Sequence, residues 1–110
     1  MIKNLTYRQL EAFKTIADEQ LGGPFAKGRD KMVRDMINDS CFNLTTATTP
    51  RGTGSHPFLI YNSETQKIDI VHCELITLTT EGRTFNRLIF ENGDLFDDDE
   101  YSLDILAIVI

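Results

Sequence analysis

Apolar residues recur at helical spacing in the first forty residues and predict two helices. Thr6 and Gln9 have the spacing of a capping box, and Gly22-Gly23-Pro24 is a stop signal. The apolar stripe between these signals is Leu10, Phe13, Ala17 and Leu21, which share one helix face. A second helix is predicted from about Gly28 to Asn38, and its stripe is Met32, Val33, Met36 and Ile37.

After a polar stretch the pattern changes to that of strands. The predicted strands are Phe58–Tyr61, Lys67–Thr79, Thr84–Glu91 and Leu103–Ile110, with a further short one at Cys41–Thr46. Loop 62–66 and Asn92-Gly93 are turn signals between them. The long second strand has apolar residues on both faces, which suggests a β-bulge at His72-Cys73.

The last strand is apolar on both faces, so it must be covered on both sides. The helices can cover one side; a curled barrel, a second layer or another subunit would cover the other. We therefore predict a single α+β domain over 1–110, with two helices in 1–40, a long polar loop at 41–57 and an antiparallel meander of four or five strands at 58–110. The meander is compatible with an SH3-like barrel or with an open sheet backed by helices.

Composition fits a globular domain, with 41% hydrophobic and 25% charged residues among 110. No apolar run is long enough to span a membrane, and Met1–Leu10 lacks the apolar core of a signal peptide. We therefore expect a cytoplasmic protein that does not bind membranes and keeps Cys41 and Cys73 reduced.

The net charge of −6 is unevenly distributed. Residues 1–55 hold eight Lys/Arg and six Asp/Glu, a net +2, whereas residues 56–110 hold three and eleven, a net −8. Direct nucleic-acid binding by the second half is therefore disfavoured. The acidic run that dominates this half is Asp94, Asp97, Asp98, Asp99 and Glu100. It is interpreted either as a solvated, solubilising turn or as a mimic of nucleic-acid phosphate.

The spacing of the cysteine, histidine and acidic residues gives little support for a catalytic or metal site. Cys41, His56, His72 and Cys73 lack the paired-ligand spacing of a zinc site, and the acidic run does not match a calcium loop. A Cys41–His56 or Ser55–His56 pair is conceivable for nucleophilic catalysis, but no accompanying motif fixes its geometry. We predict no catalytic residue, metal or cofactor.

Two basic features remain as recognition candidates. The polar loop carries Arg51 close to His56, and this loop is either a recognition tip or a simple connector. The second helix carries Lys27, Arg29, Lys31 and Arg34, interleaved with Asp30 and Asp35. That interleaving favours a solvated, internally paired helix face over a binding site.

These observations favour a small non-enzymatic protein that binds or inhibits a protein partner, of the kind that phages encode against host nucleic-acid-binding or defence proteins. The predicted partner-binding residues are Arg51, His56, Asp94, Asp97, Asp98, Asp99 and Glu100. Two alternatives stay open: a self-associating structural domain that forms a homo-oligomer through its last strand, and a small enzyme that depends on its Cys and His residues.

Overall fold

The fold is described from a computed structural model that places residues 3–39, 42–45, 54–90, 95–97 and 103–110. Its elements in chain order are β1 (Lys3–Leu5), α1 (Tyr7–Leu21), α2 (Arg29–Asn38), β2 (His56–Asn62), β3 (Lys67–Thr80), β4 (Arg83–Phe90), β5 (Leu95–Asp97) and β6 (Leu103–Val109). The α+β class is confirmed. Strand β1 precedes the first predicted helix and was not predicted from the sequence.

Helix α1 begins and ends where the sequence signals predict. The Gln9 amide donates to Thr6 Oγ1 at 3.0 Å, and the Thr6 amide donates to Gln9 Oε1 at 2.9 Å. Together these bonds complete the capping box. At the other end Gly22 adopts φ 84°, a left-handed conformation that glycine reaches without steric cost.

The six strands form one mixed sheet in the order β1-β6-β2-β3-β4-β5. Strands β2, β3 and β4 form the first part of the predicted antiparallel meander, and β5, which was not predicted from the sequence, extends it. The last predicted strand, β6, is also antiparallel, but it pairs with the far side of β2 instead of following β4, and β1 pairs with β6 in parallel. The meander is therefore correct for β2 to β4 and wrong for β6. The sheet is not closed, because β1 and β5 lie at its two ends, and the SH3-like barrel is not confirmed. The predicted strand at 41–46 is not formed at Phe42–Thr45, and Cys41 and Thr46 lie outside the described residues.

Strand β3 serves two partners at different points along its length. Its first half, Lys67 to Cys73, pairs with β2, and its second half, Cys73 to Thr80, pairs with β4. Since both partners reach Cys73, they must lie on opposite sides of β3. The hairpin of β3 and β4 is therefore staggered along the sheet relative to β2.

The predicted bulge at His72-Cys73 is wrong, and the irregularity lies in β6. Leu59 pairs with Ala107 and Ile60 pairs with Ile105, so Leu106 is the extra residue. A bulge switches the faces on which later side chains lie. Ile105 and Ile108, on the two sides of the bulge, therefore both pack on the same face of the sheet, although an unbroken alternation would place them on opposite faces. Strand β3 needs no such switch, because both of its faces contact apolar side chains.

Two apolar clusters sandwich the sheet. The larger one, between the helices and the sheet, contains Leu5, Leu10, Phe13, Ala17, Val33, Ile37, Leu59, Tyr61, Leu106, Ala107 and Val109. The smaller one, on the opposite face, contains Phe58, Ile60, Cys73 and Ile108. The two clusters alternate along β2, as the period of two in a strand requires. Both layers are supplied by this chain.

Replacing Thr6 by Ala removes one half of the capping box and leaves the Gln9 amide without its side-chain acceptor. We expect the free energy of unfolding to fall by about 1 kcal/mol. Chemical denaturation of the purified protein measures this change.

Thr15→Ala is the matched control. Thr15 lies in the exposed middle of α1, where its hydroxyl donates to the Glu11 carbonyl at 2.9 Å. Such a bond contributes little to stability, so the control changes it by less than about 0.5 kcal/mol. Equal losses in the two variants would contradict the role of the cap.

Candidate functional site

The predicted acidic site borders the last strand of the meander. Asp97 ends β5 and pairs in register with Arg87 of β4. Asp94 and residues 98–100 lie outside the described residues, as does Arg51. Because β5 lies at the end of the strand order, Asp97 lies on an edge strand of the sheet.

His56 stands apart from that edge. It begins β2, which β3 and β4 separate from β5, and it is half-buried. The strand order therefore does not bring together His56 and Asp97, the two predicted partner-binding residues that the structure describes.

The cysteine and histidine candidates divide between the two faces of the sheet. His56 lies opposite Cys73 in register, so these two share a face, whereas His72 is exposed on the other face. Cys73 is fully buried, and its thiol donates to the Val71 carbonyl at 3.8 Å. Burial raises the pKa of the Cys73 thiol to about 11. This thiol is a packing group and is protonated at neutral pH; Cys41 lies outside the described residues.

A metal site is not formed by the residues that the structure describes, among which no three His, Cys, Asp or Glu side chains gather. Within the same residues, no helix is long and apolar enough to cross a membrane.

The arginines of α2 are held in ion pairs with the chain's own carboxylates. Arg29 donates to Asp18 of α1 at 2.9 Å and to the neighbouring Asp30 at 3.1 Å. Burial disfavours the charged form of Arg29, but the hydrogen bonds to Asp30 and Asp18 outweigh it and raise its pKa.

Arg34 is similarly engaged. It pairs with Asp35 at 2.9 Å and approaches Asp104 of β6 at 3.9 Å. Its guanidinium also stacks 4.6 Å from the centre of the Tyr61 ring, a cation–π contact. The hydrogen bond to Asp35 is the main cause that raises the pKa of Arg34. Both arginines of α2 therefore fit the prediction that the charges on this helix face pair with one another.

One long-range contact was not predicted. The carboxylate of Asp30 accepts a hydrogen bond from the backbone amide of Ile68, 38 residues away, at 2.9 Å. The sequence showed Asp30 only as a neighbour of basic residues. An acidic residue in the first turn of a helix is a common local feature and does not reveal a distant acceptor role.

The described surface includes two open concavities. A cleft of about 510 Å³ separates residues 24–28 from the start of β3, and its rim includes Phe25, which is 98% exposed, and Lys67. A groove of about 330 Å³ on the face opposite the helices is lined by Ile60, Val71 and Leu103 with polar residues beside them.

Comparison with known proteins gives no relative from which a function could be transferred. No protein-family model, curated protein or solved structure matches this chain.

The buried thiol of Cys73 predicts a loss of stability in alkaline solution. Below about pH 9 the thiol is protonated in both states and has no effect. Above its ordinary pKa of 9.0 the unfolded chain ionises, while the folded chain resists until about 11. Stability therefore falls as the pH rises between these values, by about 3 kcal/mol in total.

Denaturation at several pH values between 8 and 11, compared with Cys73→Ala, isolates this contribution from the tyrosines and lysines that titrate in both proteins. The variant is expected to have the shallower dependence on pH. Parallel curves for the two proteins would contradict the assignment.

Proposed function

We propose that this chain is a non-enzymatic binding protein whose acidic segment, residues 94–100, engages a basic protein surface in the place of nucleic acid. The observation that carries the proposal is the separation of charge between the two halves. The half from residue 56 onward has a net charge of −8, and its acidic run flanks the edge strand β5.

The helical half does not neutralise this charge. Arg29 is paired with Asp18 and Asp30, and Arg34 is paired mainly with Asp35, so both arginines are occupied by carboxylates of the same half. The contact from Arg34 to Asp104 is longer, at 3.9 Å, and is exposed on the Asp104 side. The acidic end is thus left to attract a partner of opposite charge.

The density of charge in the run supports mimicry of a nucleic-acid strand. Asp97 to Glu100 are four consecutive carboxylates. A chain spans at most about 3.6 Å per residue, and the phosphates of one DNA strand are about 3.4 Å apart along the axis, so the two spacings are similar. Arg51 and His56 are proposed as a secondary contact with the partner.

The two alternatives have less support. Self-association through β6 was inferred from its two apolar faces, but residues Leu106–Val109 are buried within a single chain. A cysteine-dependent enzyme would need an accessible, activated thiol, and Cys73 is buried with a raised pKa.

Displacement of DNA tests the proposal. A labelled DNA duplex is bound to each of a panel of purified basic DNA-binding proteins, and fluorescence anisotropy follows its release as this protein is added. We expect release from at least one panel member, weakened by added salt and by the triple variant Asp97→Asn, Asp98→Asn, Asp99→Asn, because both reduce the electrostatic attraction.

A variant with the same net charge provides the control. Glu11→Gln, Glu19→Gln and Glu64→Gln remove three exposed carboxylates outside the acidic run. This control is expected to displace DNA as well as the unmodified protein does. Release from no panel member, or equal losses in the two triple variants, would contradict a specific role for the acidic run.

A further inference from the structure

The outer edge of β3 lacks a partner strand over its first half. Strand β4 pairs only from Cys73 onward, so on that side the described residues provide no strand beside 67–72. An unpaired strand edge offers its amides and carbonyls to any other extended chain. Apolar side chains of this segment pack into both clusters, Ile68 and Ile70 into the larger and Val71 into the smaller, whereas Lys67, Asp69 and His72 are exposed.

Carboxylates bind two of the backbone amides on this edge. In a strand the amides of alternate residues point to the same side, so the amides of Ile68, Ile70 and His72 all point away from β2. The Ile68 amide donates to Asp30 at 2.9 Å, and the Ile70 amide donates to the neighbouring Asp69 at 2.9 Å.

Asp30 is held in place for this contact. Its other oxygen accepts from Arg29 at 3.1 Å, and Arg29 is itself fixed by Asp18 of α1. The side chain of Asp30 is 12% exposed. Asp30 is thus held by residues of both α1 and α2, and it blocks its amide more firmly than Asp69 does. Asp69 is exposed and bonds to the amide of the adjacent residue.

We infer that the edge of β3 around Ile68–Ile70 is a latent strand-pairing site for a second copy of this chain, and that Asp30 keeps it closed. A second strand here would extend the ladder that β4 already forms on the same side from Cys73. The cleft of about 510 Å³ between residues 24–28 and the start of β3 leaves open space beside this edge.

The sequence of the edge suits pairing with itself. A two-fold axis through Ile70 places Ile68 opposite His72 and Asp69 opposite Val71. Like charges are therefore not opposed, whereas an axis through Asp69 would set two carboxylates face to face. We expect an antiparallel, isologous pair centred on Ile70.

The test compares Asp30→Ala with the unmodified protein by light scattering coupled to size exclusion over a range of concentrations. The unmodified chain is expected to stay at 12.5 kDa, and the variant to approach twice that mass as its concentration rises. Hydrogen exchange then locates the contact: the Ile68 and Ile70 amides exchange fast in the dilute variant and become protected in the dimer.

Asp35→Ala is the matched control, because it removes another carboxylate of α2, the partner of Arg34, and leaves Asp30 on the Ile68 amide. It is expected to remain monomeric. If Asp30→Ala does not fold, Asp30→Leu also removes the acceptor with a side chain of similar size, and it is expected to dimerise with folded circular dichroism. Monomeric Asp30 variants that are folded, equal dimerisation of Asp35→Ala, or a dimer without protection at Ile68 and Ile70 would overturn the inference.

Discussion

The burial of β6 on both of its faces is the constraint on which the rest of the structure depends. Ala107 and Val109 pack under the helices, whereas Ile108 belongs to the cluster on the opposite face. The strand also lies between β1 and β2, and the backbone continues this pairing at Ile110, whose amide donates to the Leu5 carbonyl at 2.9 Å. Each large aliphatic side chain buried in this way contributes about 1.5–3 kcal/mol, so β6 joins helices, sheet and both apolar layers into one unit.

The charged side chains around α2 pair with one another, whereas the acidic run belongs to a different part of the chain. Around α2, the arginines, Asp18 and Asp30 satisfy one another and fix the helices to the sheet through the Ile68 amide. At the other end of the strand order, Asp97 of β5 lies opposite Arg87 of β4, and four further acidic residues adjoin β5 in the sequence. The two halves of the sequence differ in net charge, +2 against −8. The proposed binding function depends on that imbalance.

The sequence predicted what local patterns determine. The boundaries of α1 followed from Thr6, Gln9 and Gly22, and the need to cover the last strand on both sides followed from its apolar residues. The neighbours of that strand depend on which distant strand it meets, and no local signal encodes this. The short strand β1 was missed for that reason.

The displaced bulge and the role of Asp30 have the same explanation. A change of buried face was expected in β3, where two apolar faces occur, but the extra residue is Leu106 in β6, because only pairing with β2 reveals the mismatch. Asp30 bonds to an amide 38 residues away. For the predicted site, the acidic composition is visible in the sequence, whereas the position of β5 at the sheet edge depends on the strand order.

Native-state hydrogen exchange of β6 tests the central claim most directly. If β6 is the buried joint between two layers, the amides of Ala107, Ile108 and Val109 exchange only through global unfolding, with protection that matches the free energy of unfolding. The exposed turn at Phe25 and Lys27 supplies fast-exchanging references in the same experiment. Exchange of the β6 amides as fast as these turn amides would contradict the account.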